Sequence, residues 1–221
     1  WEPGPEGNGR VLFSFGGRRL RLERVPLSLA GDFQAHNAAL AVACMEELDP
    51  AGSWIGPEAV IQGLGQARLP GRLELIPTRE GANCPVLLDG AHNPDKLAAM
   101  LGTLEVFGRR HLHVVFGGLG NPRPDSALMR LGGMARSLVL TEPQVYAKAP
   151  REAEEAADMV RGRVSARVLA IPDPEDALDA ALDLAGPDDL VLITGSLYLC
   201  GQLRGRFYPA ERVLAERCSW F

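Results

Sequence analysis

From residue 73 onward the chain alternates short apolar runs with helix-patterned segments, and this alternation limits its possible folds more than any other feature. The apolar runs fall at residues 73–77, 86–89, 111–116, 136–141, 167–171 and 190–194. Between and after them, helical patterns occupy residues 94–107, 125–134, 150–163, 174–185 and 196 to about 206. Strands alternating with helices imply βαβ units and a mostly parallel, twisted sheet. Leu190-Val191-Leu192-Ile193 is apolar throughout, as expected when helices cover both sheet faces. Residues 71–221 therefore read as an α/β, Rossmann-like domain.

Residues 1–70 have a different rhythm. Two short strands, 11–15 and 18–23, flank Gly16-Gly17, the pattern of a hairpin with a two-residue turn. In the second strand Leu20 and Leu22 alternate with arginines, which predicts one dry face and one wet face. Residues 26–30 read as an extended connector. An alanine-rich helix follows over 38–45, built from the best helix formers. Asn37 falls in its first turns. Asparagine is not favoured inside helices, and its amide offers both a donor and an acceptor; a plain capping role is the other reading. Asp49-Pro50-Ala51-Gly52 ends that helix. Gly56-Pro57-Glu58 starts another, to about Gln66, with proline in its first turn. The boundary is set at Leu69-Pro70-Gly71-Arg72, where Pro-Gly is turn punctuation. A hairpin and two helices make an incomplete domain, so residues 1–70 read as the tail of one. The opening at Trp1 and the Gly/Pro-rich residues 2–9 suggest a cut inside a longer protein.

Charge and cysteine usage narrow the partners. A net charge of −5 argues against attraction to nucleic acid or an anionic membrane. Cys44, Cys84, Cys200 and Cys218 form no C-x-x-C pair and no metal or disulfide framework. Scattered free thiols fit a reducing, cytoplasmic compartment. No apolar run reaches the roughly 18 residues of a membrane span, and no signal peptide is recognisable.

Four predicted strand ends carry small or polar residues: Asp89-Gly90-Ala91-His92-Asn93-Pro94, Gly117-Gly118-Leu119-Gly120-Asn121, Thr141-Glu142-Pro143 and Thr194-Gly195-Ser196-Leu197-Tyr198. A parallel sheet sets all four along one edge, where open α/β sheets bind ligands. After Asp89 the turn runs into a helix start, whose free N–H groups and positive dipole end suit an anion. The plainer alternative is that Asp89 and Asn93 only cap a turn. The glycine-rich segment at 117–120 is not G-x-G-x-x-G, and no G-x-x-x-x-G-K-[ST] loop occurs in the chain. Ser196 either helps hold a carboxylate or simply caps a helix. No G-x-S-x-G elbow, Ser/His/Asp set or Cys/His set is evident. His111 and His113 share a strand face but lack a third ligand, so a core or surface place is favoured over metal. Arg151-Glu152-Ala153-Glu154-Glu155 reads as a solvated helix start with acids complementing the dipole. Arg72, beside Pro70-Gly71, is suited to clamping phosphate with paired N–H groups.

Taken in order, Asn37-Ala38-Ala39, Leu69-Pro70-Gly71-Arg72, Asp89 to Pro94, and Gly195-Ser196-Leu197-Tyr198-Leu199 resemble the folylpolyglutamate synthase/dihydrofolate synthase family of the Mur ligase superfamily. The match runs from about residue 10 to 210. The resemblance implies an ATP-dependent amide ligase that uses Mg²⁺ and joins L-glutamate to a folate or dihydropteroate carboxylate through an acyl phosphate. It implies that Asn37 contacts the nucleotide base. Arg72 would contact phosphate at a hinge between domains, and Asp89 would anchor ATP through its ribose. His92 would be the catalytic residue facing the terminal phosphate and the glutamate, and Ser196 would bind glutamate. It also implies that residues 1–70 are the end of a central P-loop ATPase domain and 71–221 the C-terminal domain. The phosphate loop, the magnesium ligands and much of the folate site would then lie upstream, and the fragment alone would be inactive. One departure stands out. The family has an acidic-lysine-acidic run after the strand at 111–116, where this chain reads Gly117 to Asp125 without it. The alternatives are a peptidoglycan-precursor Mur ligase, disfavoured by the L-P-G-R and G-S-L-Y-L strings, and a non-catalytic Rossmann-like binding module.

Overall fold

The computed structural model describes residues 2–3, 10–78, 82–104, 107, 111–120, 125–146 and 148–215. Expectations placed on Trp1, residues 4–9, the loop residues 121–124 and Cys218 lie outside the described residues. The chain forms two compact units: Trp1–Leu69 with Gly102–Gly108, and Pro70–Leu101 with Arg109–Phe221.

The first unit holds an antiparallel sheet of β1 (Glu2–Pro3), β2 (Val11–Gly16) and β3 (Arg21–Pro26), with α1 (Phe33–Leu48) and α2 (Pro57–Gln66). The expected two-residue Gly-Gly turn is replaced by a connection over residues 17–20, closed by the Gly17 N–H donating to Leu20 O at 2.9 Å. The cause lies in α1. The Glu46 carboxylate accepts from the backbone N–H groups of Leu20 (2.6 Å), Arg19 (2.7 Å) and Arg18 (3.2 Å). Those bonds hold its carboxyl below the usual range, because N–H donors favour the ionised form. The strict alternation also breaks. A register shift lies between Phe13 and Phe15, and Arg24 takes φ 52°. The buried set therefore becomes Leu20, Leu22, Val25 and Leu27.

Helix α1 begins at Phe33, earlier than its alanine run, because Asp32 accepts from the Phe33 N–H at 2.8 Å. Asn37 thus lies beyond the first turn. Asp49 ends the helix and accepts from the N–H groups of Ser53, Trp54 and Ile55 at 2.8–3.0 Å. One face of α1 joins the unit's core through Ala35, Ala38 and Val42. Another shows Leu40 (68% exposed), the exposed Cys44 and Leu48 (70% exposed), aligned at four-residue intervals.

The second unit is a six-stranded sheet in the order β4 (Glu74–Ile76), β5 (Val86–Asp89), β9 (Leu190–Thr194), β6 (Leu112–Phe116), β7 (Ser137–Leu140), β8 (Arg167–Ala170). All neighbours are parallel except β4, which runs antiparallel to β5. Among the described residues the connection from β4 to β5 holds no crossover helix, and a parallel pair requires one or its equivalent in length. The intervening helices are α3 (Pro94–Leu104, of which residues 94–101 belong to this unit), α4 (Asp125–Met134), α5 (Ala153–Val160), α6 (Pro174–Leu184) and α7 (Leu197–Phe207). The short α8 (Ala210–Ala215) is not marked in the sequence reading. Val86, Leu88, Val115, Val139, Val191 and Ile193 pack with α6 and α7. The strand residues of opposite parity, such as Leu87, Val114, Leu138 and Leu192, are equally buried, and α4 and α5 meet the sheet at β7 and β8.

Helix α5 is shorter than the expected 150–163. Pro150 is drawn into an antiparallel bridge with Leu119, and Arg151 is only 5% exposed. Of the solvated helix start expected over residues 151–155, the acids hold their place, with Glu152, Glu154 and Glu155 exposed and the last two in the first turn of α5; Arg151 does not, because tertiary pairing buries its guanidinium. His113 is a core residue, as the sequence favoured. Its Nδ1 lies 2.8 Å from Ser137 Oγ and its Nε2 3.4 Å from Asp189 Oδ2, at the sheet end opposite Asp89.

Burial pushes the His113 imidazole below its ordinary pKa, against the pull of Asp189. The unfolded chain therefore takes up this proton first as pH falls, and stability rises with pH wherever the unfolded state binds more protons. The contribution of His113 should be complete above about pH 6.5 and lost progressively below it. Thermal unfolding followed from pH 7.5 down to pH 5 should show a falling midpoint, with a shallower slope in His113→Asn.

Candidate active site

The strand order sets the C-terminal ends of β5, β9, β6 and β7 side by side. The register pairs Asp89 with Thr194 and Thr194 with Phe116. Thus the four polar strand ends share one edge.

Asp89 organises this edge. It is 3% exposed, and both carboxylate oxygens are engaged: Oδ2 accepts from the Leu73 N–H at 3.0 Å and Oδ1 from the Ala91 N–H at 2.9 Å. The Gly90 N–H donates to Gly71 O at 2.8 Å. These bonds stitch the turn at 70–73 to the turn at 89–91. Leu73 sits at φ 44°, a left-handed conformation uncommon for a side chain of this size. Glu74 adds a second tie. It accepts from the Gly71 N–H at 3.0 Å and pairs with Arg204, whose Nε lies 3.0 Å from both its oxygens. Burial pushes the Asp89 carboxyl above the usual range, opposed by the Ala91 and Leu73 N–H groups and by the charges of Arg72 and His92. Arg72 thus lies in a doubly fastened turn. Gly90 is required by close approach, since a Cβ there would lie 3.2 Å from the Leu197 Cα and closer still to its side chain.

His92 is half-buried, with Nδ1 2.9 Å from Gly90 O. A carbonyl only accepts, so this contact requires a proton on Nδ1 and leaves Nε2 of the neutral ring as an acceptor. Asn93 Oδ1 accepts from the Lys96 N–H at 2.9 Å, the capping role considered for it. Ser196 is 3% exposed and caps α7, its Oγ accepting from the Tyr198 N–H at 3.1 Å; its hydroxyl proton stays available as a donor. Thr194 is fully buried, and its Oγ1 has no partner among the described residues. Thr141 and Glu142 are spent on structure. Thr141 Oγ1 donates to Pro172 O at 2.9 Å, and Glu142 accepts from the Ala153 N–H at 2.9 Å.

Arg72, Asp89, His92 and Ser196 therefore all stand at the turns of one sheet edge. Asn37 belongs to the first unit, exposed on α1, with its Nδ2 donating to Gln34 Oε1 at 2.9 Å. Cys44 and Cys200 carry free thiols, and burial pushes the Cys200 thiol up, out of reach of thiolate chemistry. Among the described residues no group of three or more His, Cys, Asp or Glu could hold a metal ion. Sequence reasoning missed Glu74, Arg204 and the left-handed Leu73. Only the Pro-Gly before Leu73 hinted at an irregular turn, because Glu74 and Arg204 are 130 positions apart. The assembled edge offers a guanidinium on a rigid turn, an imidazole acceptor, a buried carboxylate and two hydroxyls. That set can hold an anion and receive a proton.

Comparison with known proteins fits this geometry. The sequence model of the family described as Mur ligase, glutamate ligase domain, matches residues 71–197. The chain is 32% identical over 196 residues to the dihydrofolate synthase/folylpolyglutamate synthase of Bacillus subtilis (strain 168), covering 88% of this chain and 44% of that protein. It is 34% identical over 185 residues to a UDP-N-acetylmuramyl-tripeptide synthetase of Deinococcus radiodurans, covering 76% and 36%. Among solved structures it resembles Mycobacterium tuberculosis folylpolyglutamate synthase complexed with ADP and AMPPCP. That match has a TM-score of 0.73 and 32% identity, over 85% of this chain and 42% of the other. The chain thus spans less than half the length of these relatives.

Asp89→Asn keeps the size but replaces one acceptor oxygen with a donor. One of the two stitched N–H groups then loses its partner, at a cost of about 1–3 kcal/mol for a buried group. Denaturant unfolding should report that loss, and amide exchange at Leu73 or Ala91 should accelerate while the amides of β6 and β7 keep their protection.

Proposed function

The chain belongs to the Mur ligase, glutamate ligase domain family, and we propose that the intact protein is an ATP-dependent ligase joining L-glutamate to the carboxylate of a folate or dihydropteroate. The observation that carries this reading is the stitched edge itself: Arg72 and His92 stand on two turns that the Asp89 carboxylate ties together. The similarity to the Bacillus subtilis and Mycobacterium tuberculosis proteins supports the choice of substrate class.

The reaction runs in two steps. A carboxylate oxygen of the acceptor attacks the terminal phosphorus of ATP, and ADP leaves. The amine of L-glutamate then attacks the acyl carbon of the acyl phosphate, inorganic phosphate leaves, and an amide remains. Phosphoryl transfer relies mainly on positioning and charge stabilisation. Arg72 supplies paired N–H donors to phosphate oxygens from its fixed turn. Asp89, with a lone pair left on each oxygen, accepts from a ribose hydroxyl, and Asn37 contacts the base. His92 faces the terminal phosphate and the incoming amine, where Nε2 accepts a proton. Ser196 donates its hydroxyl proton to a glutamate carboxylate while its oxygen caps α7.

In this reading residues 1–70 end a P-loop ATPase domain and residues 71–221 form the C-terminal ligase domain. The apolar stripe of Leu40, Cys44 and Leu48 supports a first unit that packs against more protein. Magnesium would neutralise phosphate charge, but the described residues offer no cluster to hold it. We assign its ligands and the phosphate loop to the remainder of the protein. A cytoplasmic location accords with the free thiols, and no helix among the described residues is long and apolar enough to cross a membrane. A net charge of −5 gives no support to a nucleic-acid partner. The Deinococcus radiodurans similarity favours a second reading, a peptidoglycan-precursor ligase.

Purified intact protein should release ADP only when L-glutamate and a dihydropteroate or folate are both present. Turnover with UDP-muramoyl acceptors instead would select the second reading. Arg72→Ala should lower kcat/KM for ATP by about 10- to 150-fold, the worth of a charged hydrogen bond. His92→Ala should lower turnover or glutamate use by about 10²-fold or more, leaving nucleotide affinity measured by calorimetry unchanged. The 221-residue chain alone should not hydrolyse ATP.

A further inference from the structure

Arg151 is the buried cation that the assignments above leave without a task. Its side chain is 4% exposed, with Nη1 2.6 Å from Asp125 Oδ1 and Nη2 3.9 Å from Glu155 Oε1. Its Nε is buried without a partner among the described residues. Withdrawing a guanidinium from water is expensive unless it is paired well, so this placement requires a return elsewhere in the fold.

Both ends of one loop supply it. The Arg151 N–H donates to Gly118 O at 3.0 Å, and the Gly120 N–H donates to Ala149 O at 3.2 Å around the Leu119–Pro150 bridge. Gly118 lies just after β6, and Asp125 is the first residue of α4. A single residue thus grips the β6–α4 connection at its start through the backbone and at its end through the side chain. The start of that connection lies against the turn carrying Ser196. The Gly117 N–H donates to Thr194 O at 3.1 Å. A Cβ on Gly195, which sits at φ 100°, would come within 2.9 Å of Gly117 O. With no slack between Gly117 and Gly195, a shift of the glycine segment displaces Ser196.

We infer that Arg151 is a positioning residue that locks the glycine segment 117–120 against Gly195-Ser196 and thereby sets the fit of the carboxylate-bearing amino acid at Ser196. This rests on the ligase reading above.

The test uses the intact protein, with ADP release measured against L-glutamate and against ATP. Wild-type protein that shows no glutamate-dependent turnover overturns the ligase reading and this inference with it. In active protein, Arg151→Met should raise the KM for L-glutamate about tenfold or more, since small misplacements at a site are costly. The KM for ATP should stay within about twofold, separating positioning from general damage. Arg151→Lys, which keeps the charge but not the fork, should fall between. Asp125→Asn, which keeps a neutral acceptor oxygen for Arg151 at a half-exposed position, should raise the glutamate KM in the same direction and add little to Arg151→Met. It also serves alone if Arg151→Met fails to fold. An unchanged glutamate KM in Asp125→Asn, equal rises for both substrates, or additive effects in the double variant would overturn the inference.

Discussion

The sheet edge depends on one buried carboxylate. Asp89 accepts backbone N–H groups from the turn before β4 and from the turn after β5, so two segments that would otherwise move separately share an anchor. The arrangement is costly in two ways. Leu73 is held in a left-handed conformation, and a carboxyl group is pushed above its usual range by burial. Such strain persists where the surrounding structure over-determines it. Here the Gly90–Gly71 bond and the Glu74–Arg204 pair supply the reinforcement. The result is an arginine and a histidine presented from rigid backbone, which is what positioning of a charged ligand requires.

Strand order is the second constraint. Because β9 inserts between β5 and β6, the last strand in sequence delivers Thr194 and Ser196 into the middle of the edge, next to Asp89 and the glycine segment. Placed outside β8, the same residues would be remote from both. The edge also shows how few of its polar groups are idle. Asn93 and Ser196 cap helices, Thr141 and Glu142 brace the neighbouring connection, and Arg151 bonds both Gly118 and Asp125. Capping and ligand contact are compatible for Ser196, because accepting from the Tyr198 N–H uses a lone pair and not the hydroxyl proton. For the proposed ligase, the same group that orders α7 is then aimed at the amino acid.

Much of this was legible in the chain before any coordinates. Apolar runs and helical periodicity are local signals, so the alternation after residue 73, the parallel character of the sheet and the polar turn after Asp89 followed from short stretches. The order of Asn37-Ala38-Ala39, Leu69-Pro70-Gly71-Arg72 and Asp89 to Pro94 also pointed to the Mur ligase superfamily, whose glutamate ligase domain matches residues 71–197. What those stretches could not reveal was whatever depends on a distant partner. Glu46 remodels the β2–β3 turn from up to 28 positions away, Asp125 buries Arg151 from 26 away, and Arg204 braces Glu74 from 130 away. The sequence alone determined which residue types stand at the strand ends, because turn chemistry and periodicity are written locally. Tertiary structure alone decided which strands are neighbours, which acids are spent on backbone N–H groups and which arginine is buried, because each requires a group that only folding brings within hydrogen-bond reach.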